Sequence, residues 1–149
     1  MIAKNGFSLQ QVLNYRKEVE KVRKGEFVTA KNALESATDR LQREETKARQ
    51  LSDELTDKQA NGMLAYELQL YSDFSRKQRD QIRQQRQTVD QLDRQVDEKR
   101  EELLTATKEK KVLETYKEKQ VKAHRQAQSE KERLFMDEIA VQGNGRDKR

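Results

Sequence analysis

Apolar residues recur every seven positions through the second half of this chain. One row runs Leu68, Ser75, Ile82, Val89, Val96, Leu103, Lys110, and the other Leu64, Tyr71, Gln78, Gln85, Leu92, Lys99, Ala106, Leu113. Rows spaced alternately three and four residues apart merge into one seam on a helix, and a period held this long predicts a coiled coil. The first half carries the same period in Leu34, Leu41, Ala48 and Leu55, with Ala30, Ala37 and Leu51 in the companion row. Upstream, Val12, Tyr15, Val19 and Val22 follow it in a shifted phase. The join demands an extra four-residue step beside Gly25 and Phe27, which predicts a local unwinding there.

Composition closes off the alternatives. Of 149 residues, 40% are charged and 32% hydrophobic, with no Pro, Cys or Trp and only 5 Gly. Ordinary globular domains carry about 45–50% apolar residues, so a wide core is out of reach. Strand folds lack their turn punctuation, and the abundance of Glu, Gln, Lys and Arg favours long helices. The absence of Cys removes disulfides and thiolate sites and fits a reducing compartment. Neither a membrane-spanning apolar run nor a secretory signal is present, so a cytoplasmic protein is expected. The net charge of +5 is spread thinly. Acids precede bases at i,i+4 in pairs such as Glu20/Lys24, Glu45/Arg49 and Glu54/Lys58, the favourable order on a solvated helix.

Asn61-Gly62 is the one strong interior turn signal. The predicted fold is all-α: a long antiparallel two-helix coiled-coil hairpin over residues 1–142. Its first helix spans about 8–58 behind a Ser8 N-cap, its turn about 59–63 and its second helix about 64–141. A flexible basic tail, 143–149, follows. Leu9 should then lie opposite Leu113, and Leu41 opposite Gln81 or Ile82. Helix one runs out near residue 114 of its partner. Helix two overhangs it by roughly 27 residues, or ~40 Å at 1.5 Å per residue. That overhang carries Tyr116, Val121, Leu134, Phe135, Met136, Ile139 and Val141, which a lone helix cannot bury. Glu44, Lys58, Gln78, Gln85, Lys99 and Lys110 occupy seam positions, which fixes register at a cost in stability.

No arrangement for catalysis emerges. His124 is the single histidine and has no Cys beside it, so no metal site is expected. Glu101-Glu102 and Glu44-Glu45 are sequence neighbours that diverge on a helix and cannot act as a paired acid and base. Gly143-Asn144-Gly145 lacks the Lys-[Ser/Thr] of a phosphate loop. The chain is read as a non-enzyme without cofactors. Arg76-Lys77-Arg79-Arg83-Arg86, opposed by Asp80 alone, is the most basic stretch. No stacking aromatics alternate through it, which argues against nucleic acid. A solvated face and an acidic protein partner remain open for it. Tyr71 belongs to the seam; Phe74, one residue before Ser75, either flanks the core or is exposed near the turn.

Three segments carry a resemblance, in order along nearly the whole chain. They are Phe7-Ser8-Leu9-Gln10-Gln11-Val12-Leu13, the run Lys111 to Lys119 (Lys-Val-Leu-Glu, then Lys-Glu-Lys), and Asp137-Glu138-Ile139-Ala140. Together with the heptad hairpin, they resemble the FliJ family, small coiled-coil components of the flagellar type III export apparatus. The resemblance implies a stalk-like hairpin whose termini-bearing end enters a hexameric export ATPase, FliI, and regulates it. It also implies contact with the cytoplasmic domain of the export gate, FlhA, and escort of export chaperones. Association with the inner face of the cell membrane would run through those partners only. By matching position, it implies ATPase contact at Lys111, Leu113, Glu114, Lys117, Lys119, Asp137, Glu138 and Ile139, to which the apolar overhang adds Phe135. Tyr71 and Phe74 match the Tyr-x-x-Phe spacing of the gate-binding stretch, but the Gln- and Arg-rich sequence beyond Phe74 departs from it. On this reading the chain alone is a monomer. Competing readings are the equivalent stalk of a virulence secretion system, a coiled-coil tether that dimerises through the overhang, and a nucleic-acid-binding helical protein.

Overall fold

A computed structural model gives the fold over residues 2–3 and 6–147, with side chains from Gly6 to Gly145. Two long helices pack against each other as an antiparallel hairpin, and the second is the longer. α1 spans Gln10–Asn61 and α2 spans Ala65–Asp147. A short antiparallel pairing precedes them, with β1 (Ile2–Ala3) against β2 (Gly6–Phe7), Ile2 opposite Phe7 and Ala3 opposite Gly6. The period gave no hint of it.

The ends of the helices show why the chain turns where it does. Leu13 N donates to Leu9 O at 2.9 Å, so the N-cap of α1 is Leu9 and not the expected Ser8. Gly62 N donates to Gln59 O at 3.4 Å, and Gly62 adopts φ +95°, the left-handed conformation that ends a helix. Leu68 N then donates to Leu64 O at 3.1 Å and opens α2. The connection thus lies just beyond Asn61-Gly62. Pairs such as Arg16–Glu109 and Arg23–Glu102 accordingly sit a little under one helical turn beyond the expected alignment of Leu9 with Leu113. At its far end α2 continues through Gly143 and Gly145, where a tail was expected to begin. A helical Gly costs about 1 kcal/mol but does not break a helix as Pro would. Lys148 and Arg149, the rest of the expected tail, lie outside the described residues.

These backbone states predict opposite responses to alanine. Gly25 is helical and a Cβ there would meet nothing within 4 Å. Gly25→Ala should therefore raise unfolding stability by about 0.5–1 kcal/mol. Gly62→Ala should lower it by about 1–2 kcal/mol, because a side chain is strained at that φ. Urea titration of the two variants checks both signs.

The hairpin comprises two compact units, one holding Val22–Leu104 and the other the remaining described residues. In the first, Ala30, Leu34, Ala37, Leu41, Ala48, Leu51 and Leu55 are half-buried, and Ile82, Val96 and Gln78 are buried. This is the predicted seam. Its first members, Leu64 and Leu68, are exposed, because they only open α2 beside the turn. Gln85 is half-buried in the seam with an unpartnered side-chain oxygen, a cost rather than a gain. In the second unit, Phe7, Leu13 and Ala106 form the core.

The upstream phase differs from expectation. Leu13 is 1% exposed, whereas Tyr15 is 63% exposed and Val12 and Val22 also face outward. Val19, the remaining member of that phase, is half-buried. One row of inward positions on α1 runs Leu13, Arg16, Glu20, Arg23, Phe27, Ala30 and Leu34. They alternate by three and four without interruption, so no stutter is needed, and the helix runs unbroken through Gly25. Charged side chains hold the seam there because each finds an opposite charge on α2. Arg16 pairs with Glu109, Glu20 with Lys110 at 2.9 Å, and Arg23 with Glu102 at 3.3 Å.

Candidate interaction surfaces

Cross-helix pairing also wins over the expected pairs along one helix. Glu54–Lys58 closes at 3.6 Å, but Glu45 reaches across to Arg86 at 3.0 Å. A second cross-helix group joins Arg23, Glu26, Lys99 and Glu102. The Arg23 guanidinium, hydrogen-bonded to Glu26, holds that carboxyl below the ordinary 4.5, with Lys99 assisting. Hydrogen bonds from Lys99 to Glu102 and from Lys110 to Glu20 hold both ammonium groups above the ordinary 10.5. The lowered carboxyl stabilises the fold above pH 4.5 and loses that contribution as pH falls through its folded value. The raised lysines stabilise it below pH 10.5 and lose theirs as pH rises through their folded values. Melting temperature should therefore be level across neutral pH and drop on either side of that window, by circular dichroism. Because these pairs are part-exposed, added salt should flatten both drops.

The nine positions expected at the ATPase contact fall into three settings. Leu113, Glu114 and Lys117 are half-buried: Glu114 lies 3.9 Å from Lys110, and Lys117 Nζ donates to Gln10 Oε1 at 2.6 Å. Lys111 and Lys119 instead line an open groove with Val112 and Tyr116. Phe135, Asp137, Glu138 and Ile139 lie on a segment in which every described residue from Lys122 to Gly145 is exposed.

That segment is shorter than the expected overhang. Phe7 packs edge-on against Tyr116, with ring centroids 5.7 Å apart and planes at 60°. Val121 is half-buried. β2 sets Phe7 against Tyr116, ahead of the first residue of α1, and so extends the paired region. About 24 residues of α2 then remain unpaired, or ~36 Å. Within them Phe135 is 62% and Ile139 47% exposed, one turn apart on the same face. Leu134, Met136 and Val141 are exposed as well.

Near the turn, Tyr71 and Phe74 part company. Tyr71 is half-buried and accepts a hydrogen bond from Lys58 Nζ at 2.6 Å. Its hydroxyl donates to Glu54 at 3.1 Å, and Lys58 Nζ also lies 4.9 Å from the ring centroid. Phe74 is exposed and continues an outward stripe with Tyr66 and Leu70. The i, i+4, i+8 spacing of those three was present in the sequence, and the reading that paired Tyr71 with Phe74 passed over it.

Among the described residues no group of His, Asp and Glu is assembled to hold a metal, and no helix is long and apolar enough to cross a membrane. Fold and surfaces together define a coiled-coil hairpin with outward apolar groups at both ends of α2. The family model described as "Flagellar FliJ protein" matches residues 5–149, and the chain belongs to that family, whose members are non-catalytic components of flagellar protein export. No curated protein and no solved structure matches it.

Proposed function

We propose that the chain is the stalk and coupling factor of the export apparatus. The unpaired end of α2 binds inside the hexameric export ATPase, and the turn end meets the export gate. The observation that carries this reading is the exposed helix Lys122–Gly145, with Leu134, Phe135, Met136, Ile139 and Val141 on its surface. Apolar groups in such number on an unpacked helix are a docking element. Lys111 and Lys119 contribute from their groove; Leu113, Glu114 and Lys117 act indirectly by holding the hairpin together. Asp137 and Glu138 supply charge to the same contact.

Coupling is thermodynamic: the hairpin shifts the ATPase only by binding its assembled or active states more tightly than the others. Hydrolysis stays with the partner. At the other end, Phe74 makes the gate contact together with Tyr66 and Leu70, and Tyr71 positions the helix beneath them. Escort of export chaperones belongs to the same role, and the free chain is a monomer. The test is ATP hydrolysis by the cognate export ATPase with and without the chain. Stimulation is expected; an unchanged rate on a verified hexamer would refute coupling.

A further inference from the structure

The unit Val22–Leu104 holds a feature that the stalk reading does not use. Arg76, Arg79, Arg83 and Arg86 stand at i, i+3, i+7 and i+10, one face of α2, and Arg49 joins them from α1. They border an open groove whose floor is Ala48 and Ile82. Five guanidinium groups face only two carboxylates there. Glu45 accepts from Arg86 through both Nε (3.1 Å) and Nη2 (3.0 Å), and Asp80 accepts from Arg83 at 2.6 Å. Arg79 makes only a 3.5 Å bond to its own helix, at Ser75 O, and Arg49 reaches Thr46 at 3.3 Å. Among the described residues Arg76 has no carboxylate partner.

We propose that this groove docks an acidic amphipathic helix of a partner protein, independently of the ATPase contact. The charge of the rim selects an anion, and the composition of the rim selects which kind. Every cation lining the groove is Arg, whose planar fork matches a carboxylate with paired hydrogen bonds; Arg86 already directs Nε and Nη2 together at Glu45 Oε1. The rim's three-four-three spacing is that of acidic side chains along one face of a second helix. Half-buried Ala48, between the rows of arginines, gives that helix's apolar side chains a surface to meet, so the docked element completes a three-helix layer. Nucleic acid fits less well. No aromatic ring lines the groove for bases to stack on.

The full-length chain would be titrated by fluorescence anisotropy into a labelled helical peptide with Glu at i, i+3, i+7 and i+10 and Leu on the adjoining face. The same peptide with Gln in place of Glu, and a labelled oligothymidylate, serve as comparisons. Arg76→Gln/Arg79→Gln is the variant, because neither side chain engages a carboxylate of the hairpin. Its melting curve should match that of the wild type. Expected are at least tenfold tighter binding of the Glu peptide than of the Gln peptide, and at least a tenfold loss in the variant. Arg76→Lys/Arg79→Lys should keep the charge but lose part of the affinity. Equal binding of the two peptides, or a variant that binds like the wild type, overturns the proposal. So does oligothymidylate binding more tightly than the Glu peptide and weakening in the same variant, which would assign the groove to nucleic acid.

Discussion

Replacing Phe135 and Ile139 together by aspartate should abolish stimulation of the export ATPase and leave the melting of the hairpin unchanged. Both side chains are largely exposed, and every residue of the surrounding segment, 122–145, is exposed as well. Stability therefore has little to lose, and surface changes of this kind usually shift it by no more than about 0.5 kcal/mol. Binding has much to lose. A buried aromatic or aliphatic anchor at an interface typically contributes ~2 kcal/mol or more, and a charge in its place must also be desolvated. At 1.4 kcal/mol per factor of ten, two anchors give a loss of at least about 100-fold in affinity, even without full additivity. Titrating the ATPase with each protein, with melting curves alongside, reads both quantities. Arg133, which pairs with Glu130 on the same helix at 2.9 Å, offers a comparison: Arg133→Ala should change little.

Leu13→Ala should be the most damaging single truncation in the chain. Among the described residues Leu13 is the most deeply buried large side chain, and in its unit only Phe7 and Ala106 are buried with it. Leu-to-Ala changes at such sites cost about 2–5 kcal/mol, from lost transfer energy and from the cavity left behind. A thin hairpin relaxes more readily than a globular core, which favours the lower half of that range. The matching fall in melting temperature is roughly 10 °C. Val12→Ala, one residue away and 43% exposed, should cost no more than about 0.5 kcal/mol. The contrast separates the two phases that the sequence permits for this stretch. If Val12 were the seam residue, the two costs would exchange.

That ambiguity shows where the sequence was legible and where it was not. The seam of helix two could be read from Ile82, Val89, Val96 and Leu103 because apolar side chains mark it at constant spacing. The seam of helix one could be read from Ala30 to Leu55 for the same reason. Upstream of Ala30, the half-buried seam positions include Arg16, Glu20 and Arg23, which carry no hydrophobic signal. Their burial depends on Glu109, Lys110 and Glu102, some 80 to 90 residues away in the chain. Apolar periodicity alone follows Val12, Tyr15, Val19 and Val22, of which only Val19 is half-buried, and requires a stutter. Only long-range ion pairing resolves the choice, and it cannot be seen locally. The turn was legible from Asn61-Gly62 to within a few residues. The Phe7–Tyr116 contact was hidden, since it joins a strand residue ahead of α1 to a helix position more than 100 residues away. Of the surface positions, Phe135 and Ile139 were visible as an apolar pair without a partner. The division of Lys111, Leu113, Glu114, Lys117 and Lys119 into inward and outward sets depends on the rotation of α2 against α1. The Arg49 contribution to the basic groove likewise depends on pairing between the helices.

Amide hydrogen exchange along α2, in the free chain and in its complex with the export ATPase hexamer, tests the central claim most directly. An unpaired helix opens easily, so residues 122–145 should exchange fast in the free chain, while the seam around Val96 and Ala106 is protected. Binding should slow exchange strongly across 122–145, most of all around Phe135 and Ile139. A verified complex in which that segment exchanges as fast as before, with new protection elsewhere, would contradict the assignment of the overhang as the ring contact.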